Sequence, residues 1–448
     1  MNQKTLLGHP IGLFVLFFTE MWERFSFYGM RALLVLYLTQ HLIQTAQTGD
    51  TVIGFKALQA GLEFVFGPMS IQPLASQIYG LYTGFVYFTP IFGGMLADRV
   101  WGQRKTVVIG AVLMALGHFL MASEAFFLVA LLLLILGSGC FKPNISTQVG
   151  SLYPPGDPRR DGAFTIFYMG INLGAFFAPL VCGTLGQRYG WHYGFGAAGV
   201  GMLFGLLVYL GGQRYLAEDQ FTIKANQPLE EEVPLTAKEW QSIGGLVVLA
   251  ALNIVFWAVY EQQGNTLQLF ADQNTDWHVF GWEMPSTWFQ SFNPAFIFLL
   301  APLLDRRSAR LASQGKQRSS VGKMAFGAGL LGASFLVLIV AVSGIESTEK
   351  ISFLWLVLCT LIYTIGELYL SPIGLSLVTK VSPPRLVGMM MGMWFLATFF
   401  GNYLSGYIGT YYEKMPKDSF FLLLAILGVG TGLLIFAFKA PLKKAVDD

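Results

Sequence analysis

Apolar residues run through this chain in blocks of about 20 residues or more, separated by short stretches that hold most of the charge. Such blocks read as membrane spans, and they predict twelve: about 11–38, 71–97, 106–123, 126–150, 163–187, 192–212, 241–265, 286–304, 323–343, 351–380, 386–410 and 420–438. The first block begins near Ile11 and continues past Leu38. It is too long for a signal-peptide core, and no small-residue cleavage site follows it, so it reads as the first span of the mature protein.

An even number of spans puts both termini on one side, and Lys and Arg decide which. Of the 28, the candidate inside segments hold 20 and the outside segments five; Arg24, Arg31 and Lys142 lie within spans. That bias predicts cytoplasmic termini. The longest inside segment, about 213–240, contains Glu230, Glu231, Glu232 and Pro234, lacks an apolar period and reads as a linker. It divides an N-terminal six-helix bundle, 1–212, from a C-terminal one, 241–448. An extended outside loop, 41–73, belongs to the first. There Phe55, Leu58, Leu62, Val65 and Phe66 fall at helical spacing, which fits an amphipathic helix at the outer interface.

Composition agrees with the spans. Only 12% of the chain is charged, against about 25% in soluble domains. The net charge of +2 says little, because the distribution carries the information. Cys140, Cys182 and Cys359 lie inside apolar blocks and read as small core residues rather than a disulfide framework.

The two halves echo each other. Gly137, Pro143, Pro154 and Pro155 recur as Gly366, Pro372, Pro383 and Pro384, each at an offset of 229. Leu96-Ala97-Asp98-Arg99 ends the second span and Leu303-Leu304-Asp305-Arg306 the eighth. Two parallel halves around a central cavity make the layout of major facilitator transporters. The expected fold is therefore an all-α polytopic membrane protein with twelve transmembrane helices in two pseudo-symmetric bundles. In the repeat, position 142 pairs with 371 and 138 with 367, so Glu367 lies about one turn from the mate of Lys142.

Seven ionisable residues fall inside spans: Glu20, Glu23, Arg24, Arg31, Lys142, Glu261 and Glu367. Each costs about 2.5–3.5 kcal/mol at mid-bilayer, so they must face protein or water and pair. Glu20, Arg24, Tyr28 and Arg31 form a stripe at steps of four, four and three, with Glu23 beside it. Asn253, Trp257, Glu261 and Asn265 form a second at steps of four, and Asn172 interrupts the fifth span. The first half supplies cations and the second Glu261 and Glu367. A zwitterion fits between such poles, its carboxylate toward the cations and its ammonium toward Glu367. Burial favours a protonated carboxyl and a neighbouring cation favours an ionised one, so a substrate competing for the cations would change proton affinity.

Thr19-Glu20-Met21-Trp22-Glu23-Arg24-Phe25-Ser26-Phe27-Tyr28-Gly29 resembles the ExxERFxYYG signature of proton-dependent oligopeptide transporters, with Phe27 a conservative departure from Tyr. Tyr87-Phe88-Thr89-Pro90, Lys142-Pro143-Asn144, Ile171-Asn172-Leu173-Gly174 and Phe256-Trp257 with Glu261-Gln262-Gln263-Gly264 are similar to further motifs of that family. So are Phe289 to Pro294, Gly366-Glu367-Leu368 with Ser371-Pro372, and Gly392-Met393-Trp394-Phe395.

The resemblance implies a bacterial inner-membrane symporter that imports di- and tripeptides with protons by alternating access, working as a monomer with no other cofactor. It implies proton coupling by Glu20, Glu23, Arg24 and Glu367. It gives the peptide carboxylate to Arg24, Arg31 and Lys142, and the amino end to Asn172, Asn293 and Glu367. It puts Tyr28, Tyr87, Trp257, Ser371 and Trp394 around the substrate, and makes Arg31–Glu261 and Lys142–Glu367 gate salt bridges. Two departures stand out. The linker is too short for the two extra helices that bacterial members often carry, and the 41–73 stretch is longer than the usual first outside loop. The second span also lacks the His of animal relatives, leaving proton handling to carboxylates.

A same-fold transporter of nitrate, an amino-acid derivative or a peptide-like drug is the alternative. Nitrate needs only cations, and Glu367 with the complete ExxER motif argues against it. An enzyme would need a nucleophile–base pair or metal ligands at cavity depth. His9, His41, His192 and His278 fall near span ends or in loops, and His118 is alone in the third span. No enzyme, metal site or nucleic-acid partner is expected.

Overall fold

The computed structural model describes residues 5–49, 52–154, 156–218, 235–316, 319–344, 349–383 and 386–440. Linker residues Lys224, Glu230, Glu231, Glu232 and Pro234 lie outside them, as do Pro155 and Pro384 of the repeat and Lys4, Arg318, Arg385, Lys443 and Lys444 of the charge pattern. Two compact units divide the chain, Met1–Pro68 with Phe85–Glu230 and Met69–Gly84 with Glu231–Asp448.

The first unit begins with α1 (Ile11–Tyr37), whose residues from Gly29 to Leu38 are buried without interruption. A π-helical turn, Leu38–Leu42, leads into α2 (Ile43–Thr48), and α3 (Phe55–Phe66) follows. Next comes α4 (Ile71–Phe88), which passes from the second unit to the first after Gly84. Pro90 interrupts the predicted second span, which resumes as α5 (Pro90–Leu96) and closes in a π-helical turn, Ala97–Trp101. The unit continues through α6 (Gln103–Leu120), α7 (Phe127–Ser151), α8 (Arg159–Ala178), α9 (Thr184–Tyr189) and α10 (Trp191–Gly212). Another π-helical turn, Pro179–Gly183, joins α8 to α9, so the predicted fifth span is one helix locally widened where a proline removes a donor. The expected helix in 41–73 is α3, with one change of face: Phe55 and Leu62 are buried, whereas Val65 is exposed.

The second unit contains α11 (Ala237–Tyr260), opened by a capping box of Thr236 and Glu239, then α12 (Thr266–Gln273) and α13 (Phe292–Ser313). It ends with α14 (Ser320–Val342), α15 (Leu354–Val381), α16 (Val387–Gly409) and α17 (Lys417–Ala437). Between α11 and α12 the tight turn Glu261–Gly264 breaks the predicted seventh span. Asn265 therefore leaves the stripe of Asn253 and Trp257, and instead accepts a hydrogen bond from Ser76 Oγ at 2.9 Å. Small residues allow the close crossings. A Cβ on Gly80 would come within 2.6 Å of Gly406 Cα, and one on Gly332 within 2.3 Å of Val429 N, so α4 meets α16 and α14 meets α17 backbone to backbone.

Among the described residues, strand structure is confined to two-residue pairs. β1 (Thr5–Leu6) and β2 (His9–Pro10) form an antiparallel hairpin. β3 (Thr275–Asp276) runs parallel to β6 (Ile351–Ser352), and β4 (His278–Val279) runs antiparallel to β5 (Trp282–Glu283). Nine helices among the described residues are long and apolar enough to cross a membrane. Three more reach span length: α1 with its four ionisable residues, and α4 and α6 with 18 residues each.

Candidate functional site

Several of the predicted residues gather into two polar clusters, one in each unit. In the first, α1 brings two carboxylates to one guanidinium. Arg24 Nε lies 2.9 Å from Glu20 Oε1 and 2.5 Å from Glu23 Oε2. All three residues are buried, and these charge contacts are not aligned as hydrogen bonds: Glu20 Oε2 and both Glu23 oxygens have no hydrogen-bond partner among the described residues. The guanidinium also sits 5.5 Å from the centre of the Phe27 ring, and that of Arg31 sits 5.7 Å from the Tyr28 ring.

Lys142 arrives from α7 beside Pro143, which has no N–H for the Gly139 carbonyl one turn earlier. Asn144 repairs the neighbourhood by donating from Nδ2 to Cys140 O at 2.7 Å and to Gly93 O at 3.3 Å. The Lys142 ammonium is shielded and makes no hydrogen bond among the described residues; it lies 4.6 Å from the centres of both the Phe27 and Tyr87 rings. The α8 backbone reaches this cluster only because residue 174 is glycine. A Cβ there would stand 2.2 Å from Met21 O and 2.9 Å from Arg24 Cβ. Asn172, two residues earlier, is buried and donates to Tyr168 O at 3.0 Å.

In the second unit Asn293 orients Glu367. Its Nδ2 donates to Glu367 Oε2 at 2.8 Å and to Thr364 Oγ1 at 3.0 Å, joining α13 to α15. Tyr260 OH lies 3.5 Å from Asn293 Oδ1, and Tyr363 OH donates to Gln263 Oε1 at 3.0 Å. The rings of Tyr260 and Tyr363 meet edge to face at 5.9 Å, and that of Trp257 meets Tyr260 at 5.3 Å. Glu261 is buried at the break after α11. Trp394 is buried over Gly374, where a Cβ would be 2.3 Å from its Cζ2, and Ser371 is half-buried on α15. The Nε1 of Trp257 and both amide atoms of Asn253 are shielded without a hydrogen-bond partner among the described residues.

The structure thus groups Glu20, Glu23, Arg24 and Lys142 with aromatic rings, and Asn293 with Glu367. Arg31–Glu261 and Lys142–Glu367 each draw on both units. Residues the sequence reading missed are Phe27, passed over as a substitution although it follows Arg24 by three, and Thr364, which precedes Glu367 by three. Gln263 gave no signal beyond its motif, and Tyr363 gave none. No group of three metal-ligating side chains occurs among the described residues.

The profile of the POT family matches residues 104–229 and 220–426. The chain belongs to the POT family. Its relatives include the peptide transporter YePEPT of Yersinia enterocolitica, 36% identical over 93% of this chain and 90% of the relative. A di-/tripeptide transporter of Lactococcus lactis is 33% identical over 100% of this chain and 98% of its own. The crystal structure of a POT peptide transporter in complex with alafosfalin superimposes with a TM-score of 0.83 at 32% identity, covering 100% of this chain and 98% of that one. This POT member is accordingly a helical membrane protein of the major facilitator fold, a transporter and not an enzyme.

Proposed function

We propose that this POT-family peptide transporter is a symporter that carries di- and tripeptides into a bacterial cell with protons, across the inner membrane, as a monomer with both termini in the cytoplasm. The observation that carries the proposal is the buried contact of Glu20 and Glu23 with the single guanidinium of Arg24. Two carboxylates share one cation where a lone charge is costly, so whatever draws the cation away leaves a carboxylate that gains from taking up a proton. A peptide carboxylate is such a competitor. Lys142, held between two rings and without a hydrogen bond, supplies a second cation for it, with Arg31 at the end of the same stripe. The opposite pole is Glu367, which Asn293 orients to receive an ammonium, while Tyr28, Tyr87, Trp257, Ser371 and Trp394 offer rings and a hydroxyl to side chains. Asn172 adds an amide. Arg31–Glu261 and Lys142–Glu367 would serve as the alternating gates.

The test is uptake of a labelled dipeptide into proteoliposomes under an inside-alkaline pH gradient, competed with di-, tri- and tetrapeptides. The proposal expects gradient-dependent accumulation blocked by di- and tripeptides. Uptake indifferent to the gradient, or to both competitors, contradicts it.

A further inference from the structure

The helix α3 presents three faces. Phe55 and Leu62 are buried against the protein. Lys56, Gln59 and Glu63 form a polar edge, with Gln59 Nε2 donating to Glu63 Oε1 at 2.9 Å. The remaining face, Ala57, Ala60, Gly61, Phe64 and Val65, points away from the protein and is wholly apolar; Phe64 is 91% exposed and Val65 66%. Helical spacing alone marks only Val65 of this face, and groups it with the buried Phe55 and Leu62.

Two contacts fix where the segment sits. Ile53 N donates to Ala125 O at 3.0 Å, and His41 Nε2 lies 2.5 Å from Glu124 Oε1. Both acceptors belong to the short turn Glu124–Phe126 that joins α6 to α7. The exposed apolar stripes of those two spans end at the same turn, at Phe119 on one and at Val129 on the other, with Phe126 of the turn itself exposed between them. The beginning of α3 is therefore tied to the level at which the exposed apolar belt of those spans stops.

From this geometry we infer that α3 is an interfacial anchor: its apolar face is seated in the lipid surface at the α6–α7 end of the spans, continuous with their lipid-facing stripes. The polar edge then lies at headgroup level, and Phe64 and Val65 reach toward the acyl chains. The clamp to Glu124 and Ala125 keeps the helix attached to the span ends rather than free in the water.

A nitroxide scan along α3 in a reconstituted bilayer tests this. Single cysteines replace Lys56, Ala57, Gln59, Gly61, Phe64 and Val65. The three native cysteines are buried and serve as an unlabelled background. A side chain at Gly61 meets nothing within 4 Å, so Gly61→Cys reports even if Phe64→Cys disturbs the helix. The ratio of accessibility to molecular oxygen over a water-soluble nickel chelate should be several-fold higher at 57, 61, 64 and 65 than at 56 and 59. A ratio at 61, 64 and 65 no higher than at 56 means the face is in water and overturns the inference. Low access to both reagents means protein covers it, which overturns the inference equally.

Discussion

Replacing Asn293 by alanine removes the donor that lies 2.8 Å from Glu367 Oε2 and 3.0 Å from Thr364 Oγ1. Thr364 keeps its own bond to Thr360 O at 2.7 Å, so the carboxylate bears the loss. A hydrogen bond to a charged group contributes about 1.5–3 kcal/mol, so a ligand that depends on a correctly aimed Glu367 should bind about 10- to 150-fold more weakly. The assay is calorimetric titration of purified Asn293→Ala with a dipeptide and with its N-acetyl derivative. The free dipeptide should lose affinity within that range. The acetylated one, lacking the ammonium, should bind the variant and the parent alike. Unchanged affinity for the free dipeptide, or equal losses for both ligands, would refute a Glu367 aimed by Asn293 at the amino end.

Other substitutions follow from the same geometry. Gly174→Leu places side-chain atoms where a Cβ would already be 2.2 Å from the Met21 carbonyl; overpacking of this kind costs about 1–3 kcal/mol, so the variant should melt lower and lose dipeptide binding, and an unchanged melting curve would remove the close approach of α8 to α1. Lys142→Ala should abolish gradient-driven uptake and weaken a dipeptide far more than its C-terminal amide, whereas equal weakening would deny Lys142 the carboxylate. Phe27→Leu takes away one of the two rings lying 4.6 Å from the ammonium; a desolvated cation–π contact is worth up to about 2 kcal/mol, so the apparent affinity for the dipeptide should change measurably while a Phe27→Tyr variant behaves as the parent.

Much of the fold is legible in the sequence because a bilayer imposes long apolar blocks. The span predicted at 386–410 is observed as Val387–Gly409, and that at 126–150 as Phe127–Ser151. Where the reading departs from the structure, local backbone chemistry decides. Steps of four carry Asn253 and Trp257 correctly along α11, but hydropathy does not register the break at Glu261–Gly264, so Asn265 turns to Ser76 instead. Similarly, helical spacing identified α3 but merged two of its faces, because Phe55 and Val65 are equally apolar and only packing buries the first and leaves the second exposed.

The ionisable residues of the site were visible because a charge inside an apolar block is conspicuous. Their immediate company was not. Phe27 looks like any span phenylalanine until Lys142 is seen against its ring, and the Tyr363–Gln263 hydrogen bond joins residues 100 positions apart. Gly174 stood out only as part of a motif, since the close approach it permits depends on the backbone of another helix.

The account rests on Glu20 and Glu23 linking proton movement to peptide movement, and transport by Glu20→Gln and Glu23→Gln in proteoliposomes examines that link most directly. Each substitution keeps the size of the side chain while removing its proton and its charge. Both variants should lose accumulation driven by an inside-alkaline gradient while retaining counterflow exchange of labelled for unlabelled dipeptide, which needs no net proton movement. Full gradient-driven accumulation by both would contradict the account.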